Sequence, residues 1–270
     1  MHCCLSDYNL NREGKSMKKR QTFTLGALVL TILGKPFISN AQEHEPFTTQ
    51  PQSAYLSAQT QSNQAQNVLK DVVMEEILSL QREWAHIKYQ ISDKRTQIEE
   101  LKKLANQAQQ VSNKNQLRAE PKIWQAIILS TKAGIEGGLG ALSAVKQAKV
   151  LLEEALQLNE NALDGSAHTS LGALYYQVPG WPIGFGDDQE AEKHLRIALQ
   201  MNPNGIDPNF FYGDFLIEEH REQEARGYLE RALMAPERSN RELADAGRRQ
   251  EIKAKLSEIS TISKTEERTK

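Results

Sequence analysis

Chemistry-bearing residues are sparse in this chain and poorly clustered. His44, His86, His168, His194 and His220 are scattered beyond residue 41, with no His-Glu-x-x-His pair and no close His/Asp/Glu triplet. That spread predicts surface or core histidines rather than a metal centre. No serine stands in a Gly-x-Ser-x-Gly elbow. Both cysteines, Cys3 and Cys4, precede a segment that reads as cleaved, so the mature chain offers no thiolate nucleophile, thiolate metal ligand or disulfide. Gly184-Phe185-Gly186 has no Lys-Ser/Thr after it and no strand pattern before it, which excludes a phosphate loop. Asp187-Asp188 stands before a helical pattern. Helix capping explains it, since Asp favours the positive end of the helix dipole, and the spaced carboxylates of a calcium loop are missing. No catalytic residue, metal ligand or cofactor is assigned, and a protein that is not an enzyme is expected.

Binding is a different matter. Of the 14 aromatic residues beyond position 41, eight fall between 175 and 215. Candidate partner- or ligand-binding residues come from this stretch: Tyr175, Tyr176, Trp181, Phe185, Tyr212 and Asp214. A lined pocket needs such a concentration of rings with a few polar groups, and so does a core. The segment Gln177–Asp188 is the most unusual part. Two prolines restrict its backbone and three glycines permit positive φ. Rigid loops on a scaffold are where binding residues concentrate. Trp181 and Phe185 then either form a lip for a partner or plug an edge of the fold.

The elements that must position these residues are helices. The stretches AKVLLEEALQLNEN, AEKHLRIALQMNPN and ARGYLERALMAPER each place Ala, Leu and Ala at their first, fifth and eighth residue. Those positions are Ala148, Leu152, Ala155; Ala191, Leu195, Ala198; and Ala225, Leu229, Ala232. Steps of four and three put each trio on one helical face. The copies start 43 and 34 residues apart, and a 34-residue period of paired helices marks the tetratricopeptide repeat. One such hairpin cannot bury its own apolar face, so the expectation is an all-α superhelix of about four stacked hairpins with a C-terminal capping helix.

The repeats can be bounded. Apolar spacing from Val73 through Ala108 is broken near Lys94. Either a coiled coil or a hairpin turning at Ser92-Asp93-Lys94 fits, and the turn- and cap-forming Ser and Asp favour the hairpin. The second repeat places helices at Lys122 to about Ala133 and Leu142 to Leu158, joined by the glycine-rich Gly134–Gly140. The third has Ser166–Gln177 and Asp188–Met201, with Gly172 allowing close helix approach. The fourth has Pro208–His220 and Glu222–Leu233, and Arg241–Ile259 is the cap. Residues 68–259 form the domain, and 260–270 are a polar tail expected to fray. Arg248-Arg249 reads as a solvated face, with an approach to Asp187-Asp188 as the alternative. The Gly134–Gly140 and Gln177–Asp187 loops both join the first helix of a repeat to its second, so they should emerge on one edge.

The amino terminus carries an address. Met17-Lys-Lys-Arg20, the apolar run Phe23–Leu33, Pro36 and the small residues Ser39-Asn40-Ala41 have the order of a secretory signal peptide. Residues 1–16 read as an over-extended start. The run is too short to span a membrane, and no cysteine follows it as a lipoprotein would require. Residues 42–67, rich in glutamine, predict a disordered linker. The expected destination is the periplasm. Six of the 33 basic and two of the 35 acidic residues precede position 42, which leaves the mature chain at about −6. With no concentrated basic stripe, nucleic acid is not an expected partner. No later apolar stretch is long enough to span a membrane.

The strings LDGSAHTSLGALYYQVPGWPIGFGDD, GIDPNFFYGDF and ADAGRRQEI resemble a family of secreted bacterial tetratricopeptide proteins of unassigned activity. The likeness covers about Glu75 to Ile259. A more distant likeness, resting on repeat type, export and the glycine-rich insert, is to the helical-repeat component found with some TRAP-type transporters. The first resemblance implies a scaffold that binds a protein or peptide along its concave face. The second implies a solute- or lipid-binding accessory with a small apolar ligand.

Overall fold

The computed structural model describes residues 72–269, with side chains described for 72–261. The expected signal peptide, its over-extended start, the whole linker, the first four residues of the expected domain, Cys3, Cys4 and His44 lie outside the described residues.

Nine α-helices are present among the described residues, and no strand. They are α1 (72–90), α2 (Lys94–Lys114), α3 (Ala119–Glu136), α4 (Leu142–Asn159), α5 (Ser166–Gln177), α6 (Asp188–Met201), α7 (Ile206–Glu218), α8 (Glu222–Leu233) and α9 (Glu242–Thr269). Consecutive helices pair as antiparallel hairpins, and the first helices of successive hairpins also touch, α3 on α5 and α5 on α7. The result is an all-α superhelix of four hairpins followed by α9.

The hairpin reading of the first repeat is correct. Asp93 caps α2, its carboxylate accepting from Thr96 N at 2.8 Å and Thr96 Oγ1 at 2.7 Å. Gln97 reaches back and donates to the terminal carbonyls of α1, closest to Ile91 O at 2.7 Å. Capping of both ends from one turn fixes the bend.

The repeated Ala-Leu-Ala face is the core. All nine of its residues are 0 % exposed. Opposite it, each first helix of the last two hairpins offers a glycine. A Cβ at Gly172 would stand 2.5 Å from Leu195 Cγ, and one at Gly213 would stand 2.9 Å from Leu229 Cγ. The leucine of the second helix therefore enters a notch that only a missing side chain leaves, which sets how closely the two helices pack.

Several expectations need correction. Gly134 is helical, because α3 continues to Glu136; the bend is made by Gly137 and Gly138, both at φ 67°, and a 3-10 turn at Leu139–Ala141. Helix α7 starts at Ile206 and stops at Glu218, before Glu219 and His220. Helix α9 runs on to Thr269, through the tail expected to fray. Its role also exceeds that of an end cap. Leu243 and Ala244 join the apolar cluster built by α1, α2 and α3, while Ile252, Leu256 and Ile259 join that of α7 and α8. A Cβ at Gly247 would overlap the Tyr89 ring of α1. The last helix thus packs on the first hairpin as well as the fourth.

Candidate functional site

The Gln177–Asp187 loop is tied down at both ends. Val178 ends α5 by donating to Leu174 O, and Asp187 N donates to Tyr175 O at 2.9 Å. Inside the loop, Gly186 N donates to Pro179 O at 3.0 Å, and Gly184 N to Gly180 O at 3.1 Å. Asp187 caps α6, accepting from Gln189 N and Glu190 N. The pair Asp187-Asp188 is thus a helix start, as its capping preference predicts.

The two rings of this loop have opposite fates. Phe185 turns inward and meets Tyr175 edge-on, centroids 5.8 Å apart, against the cluster of α4 and α5. Trp181 points outward and is 90 % exposed. Ile183 is exposed beside it in sequence, and Leu139 is exposed on the loop before α4. Ala141 and Val145, which follow that other loop, share one buried cluster with Val178 and Phe185. Phe185 is the plug and Trp181 is not.

The other candidates lie in separate places. Tyr176 is enclosed. Its hydroxyl donates to Asp214 Oδ2 at 2.7 Å and accepts from Gln177 Nε2 at 3.0 Å, and Lys255 of α9 pairs with Asp214 Oδ1 at 2.9 Å. Burial, then the Asp214 charge, pushes the Tyr176 hydroxyl well above its ordinary pKa, so it serves as a fixed donor. Tyr212 is buried elsewhere. It donates to Glu192 Oε1 at 3.1 Å, beneath Arg196 and edge-on to Tyr228. Burial raises its pKa to about 12. Tyr176, Tyr212 and Asp214 thus stitch helices together, and the six candidates share no single pocket. Two hollows lie beside α9, and neither is lined by an aromatic residue.

Two groupings escape a linear reading. The first is a histidine pair between α5 and α6. Nδ1 of His168 and Nδ1 of His194 are 2.7 Å apart, and His168 Nε2 is 3.0 Å from Glu160 Oε1. Tyr175 stacks on His194 with planes 9° apart. These residues are far apart in sequence, and only the pairing of α5 with α6 joins them. Glu160, His168 and His194 thus form one hydrogen-bonded chain. Burial, and then His168, lowers the His194 pKa to about 4. Among the described residues, no group of three or more His, Cys, Asp or Glu side chains is arranged to hold a metal.

The second is an ionic network under α9. Arg248 is buried, where a solvated face or an approach to Asp187-Asp188 was expected. Its Nε donates to Asp207 Oδ1 at 3.0 Å and its Nη1 to Glu251 Oε2 at 2.6 Å. Its guanidinium carbon lies 4.3 Å from the Phe210 ring centre and 4.8 Å from that of Phe211. Arg238 joins Asp207 to Asp245, and Lys88 of α1 pairs with Glu251 at 2.9 Å. Arg249 donates to Ala235 O instead. A hint was present in the heptad spacing of Asp207 and Asp214 on α7, matched by Arg248 and Lys255 on α9.

No family model matches the chain, and no curated protein matches it.

Proposed function

We propose that this chain is an exported, non-enzymatic scaffold of the tetratricopeptide type that holds a protein or peptide partner in the cell envelope, and that the lip carrying Trp181 is part of the holding surface. The observation that carries this reading is Trp181 itself, 90 % exposed on a loop hydrogen-bonded at both ends. An indole kept in water by an ordered loop adds little to folding. Covered by a partner, it becomes the kind of aromatic anchor that dominates interfaces. Leu139, also exposed, stands on the loop that joins the helices of the preceding hairpin, and in this reading it extends the apolar part of the lip. Binding along a face shared by the first helices of the hairpins is a weaker option, because α9 packs against α1 and α7. The rival reading, a solute- or lipid-binding accessory of a transporter, calls for a lined apolar pocket, and no observation favours it.

The test uses affinity-tagged wild-type and Trp181→Ala proteins on envelope extracts, with captured proteins and small molecules quantified by mass spectrometry. A partner retained by the wild type and depleted at least about tenfold by the variant supports the lip, since an anchor of this kind contributes roughly 2 kcal/mol or more. Equal retention by both proteins overturns it.

A further inference from the structure

A second hollow lies at the junction of α1 and the start of α9. It is lined by Gln81, Arg82 and Ala85 on one side and by Asn240–Ala244 on the other. One of its polar groups, Arg241, is poorly satisfied. Gln81, 5 % exposed, lines the α1 side. Arg241 makes no side-chain hydrogen bond or ion pair there. Its guanidinium carbon lies 5.1 Å from the Trp124 ring centre, and its buried Nε has no partner. The acids that act on it electrostatically, Asp207 and Asp245, are engaged by Arg238 and Arg248. Arg82 meets only Asn240 Oδ1, at 3.3 Å. Glu242, at the mouth, accepts from Asn240 N.

We propose that this hollow is a binding site for a small oxyanion, a carboxylate or phosphate group, held between Arg82 and Arg241. A guanidinium presents its N–H groups in a planar fork that fits such an anion in bidentate fashion. The Gln81 amide supplies a further donor from α1, and the first turn of α9 has backbone N–H groups without intrahelical acceptors. Desolvation without a counter-charge is costly for a cation. Burial, followed by the Arg238 charge, holds the Arg241 pKa below its ordinary value, and a bound anion relieves both. Because Arg82 belongs to α1 and Arg241 precedes α9, the anion would join the first helix to the last.

The experiment is a titration of the purified chain, at fixed ionic strength in chloride, with sodium phosphate in one arm and sodium succinate in the other. Tryptophan fluorescence of a Trp181→Phe background, to which Trp124 beside Arg241 contributes, and the melting temperature are the readouts. Saturable binding with a raised Tm is expected in at least one arm, and the arm that binds identifies the anion class. Arg82→Gln should weaken it by about tenfold or more, as the loss of a hydrogen bond to a charged group does. Arg82 is exposed, so this variant folds even where Arg241→Gln does not. A response that is linear in both arms, or a saturable one unchanged by both Arg82→Gln and Gln81→Leu, overturns the proposal.

Discussion

Arg248 donates through Nε to Asp207 Oδ1 at 3.0 Å, and this pair sets the register of α9 on α7. One heptad further on, Lys255 meets Asp214. The two helices run side by side with matched charges, and Arg248 also reaches Glu251, which binds Lys88 and so engages α1. Against the effect of burial, Arg248 and Arg238 hold the Asp207 carboxyl well below the usual range.

Removing either partner of that pair should have unequal effects. Asp207→Ala leaves the Arg248 guanidinium buried with Glu251 alone, and a cost of about 3 kcal/mol is expected for a stranded charge. Arg248→Met keeps an apolar side chain on Phe210 and Phe211 while Asp207 retains Arg238, so its cost should be clearly smaller. Urea denaturation of both variants gives the order, and the reverse order would mean that Asp207 is the group that suffers desolvation.

Two glycine substitutions should differ in sign. Gly172→Ala drives a methyl into Leu195 and should destabilise by about 1–3 kcal/mol through overpacking. Gly227, within α8, has open space around a built Cβ. Its replacement by alanine should stabilise by up to about 1 kcal/mol through helix propensity. Thermal melts of the pair check this, and equal effects would place the helix contact elsewhere.

Overpacking at Ala198, 0 % exposed on the face of α6, gives a third test of the repeat core. Ala198→Leu should cost about 1–3 kcal/mol. An unchanged denaturation midpoint would show that this face has room the packing denies.

Within the lip, stability and exposure separate the rings. Trp181→Ala should change stability by no more than about 0.5 kcal/mol, as exposed substitutions do. Phe185→Ala should cost about 1–3 kcal/mol, less than a fully buried ring because it is half-buried. Equal losses at the two positions would contradict the split seen between them.

His194 should make folding sensitive to mild acid. Its pKa falls from 6.5 in the unfolded chain to about 4 in the fold. Between those values the unfolded chain takes up a proton that the folded one resists. Its contribution is therefore present above about pH 6.5 and lost as the pH drops toward 4. The groups acting on it are His168, Lys193, Glu190 and Glu153, with Glu160 behind His168 and Tyr175 stacked on the ring. Unfolding free energies from pH 7 to 4.5 should fall in the wild type and fall less in His194→Gln; parallel curves would remove His194 as the source.

The sequence by itself determined the repeat. Ala148-Leu152-Ala155 and its two copies carry a helical period, and a buried face with that spacing has one sensible partner, the preceding helix of its own hairpin. Helix bounds at Ser166–Gln177, Asp188–Met201 and Glu222–Leu233 were legible for the same reason, since caps and turns are local. The capping role of Asp187 was legible too. Tertiary structure alone decided that Phe185 goes inward and Trp181 outward, because both sit in a loop with no period to orient them. It alone brought His168 to His194 and Arg241 to Arg82. It also placed α9 against α1. That contact depends on how far four hairpins curve, a sum of small rotations at every interface, and a one-dimensional pattern records the period of a superhelix but not its accumulated curvature.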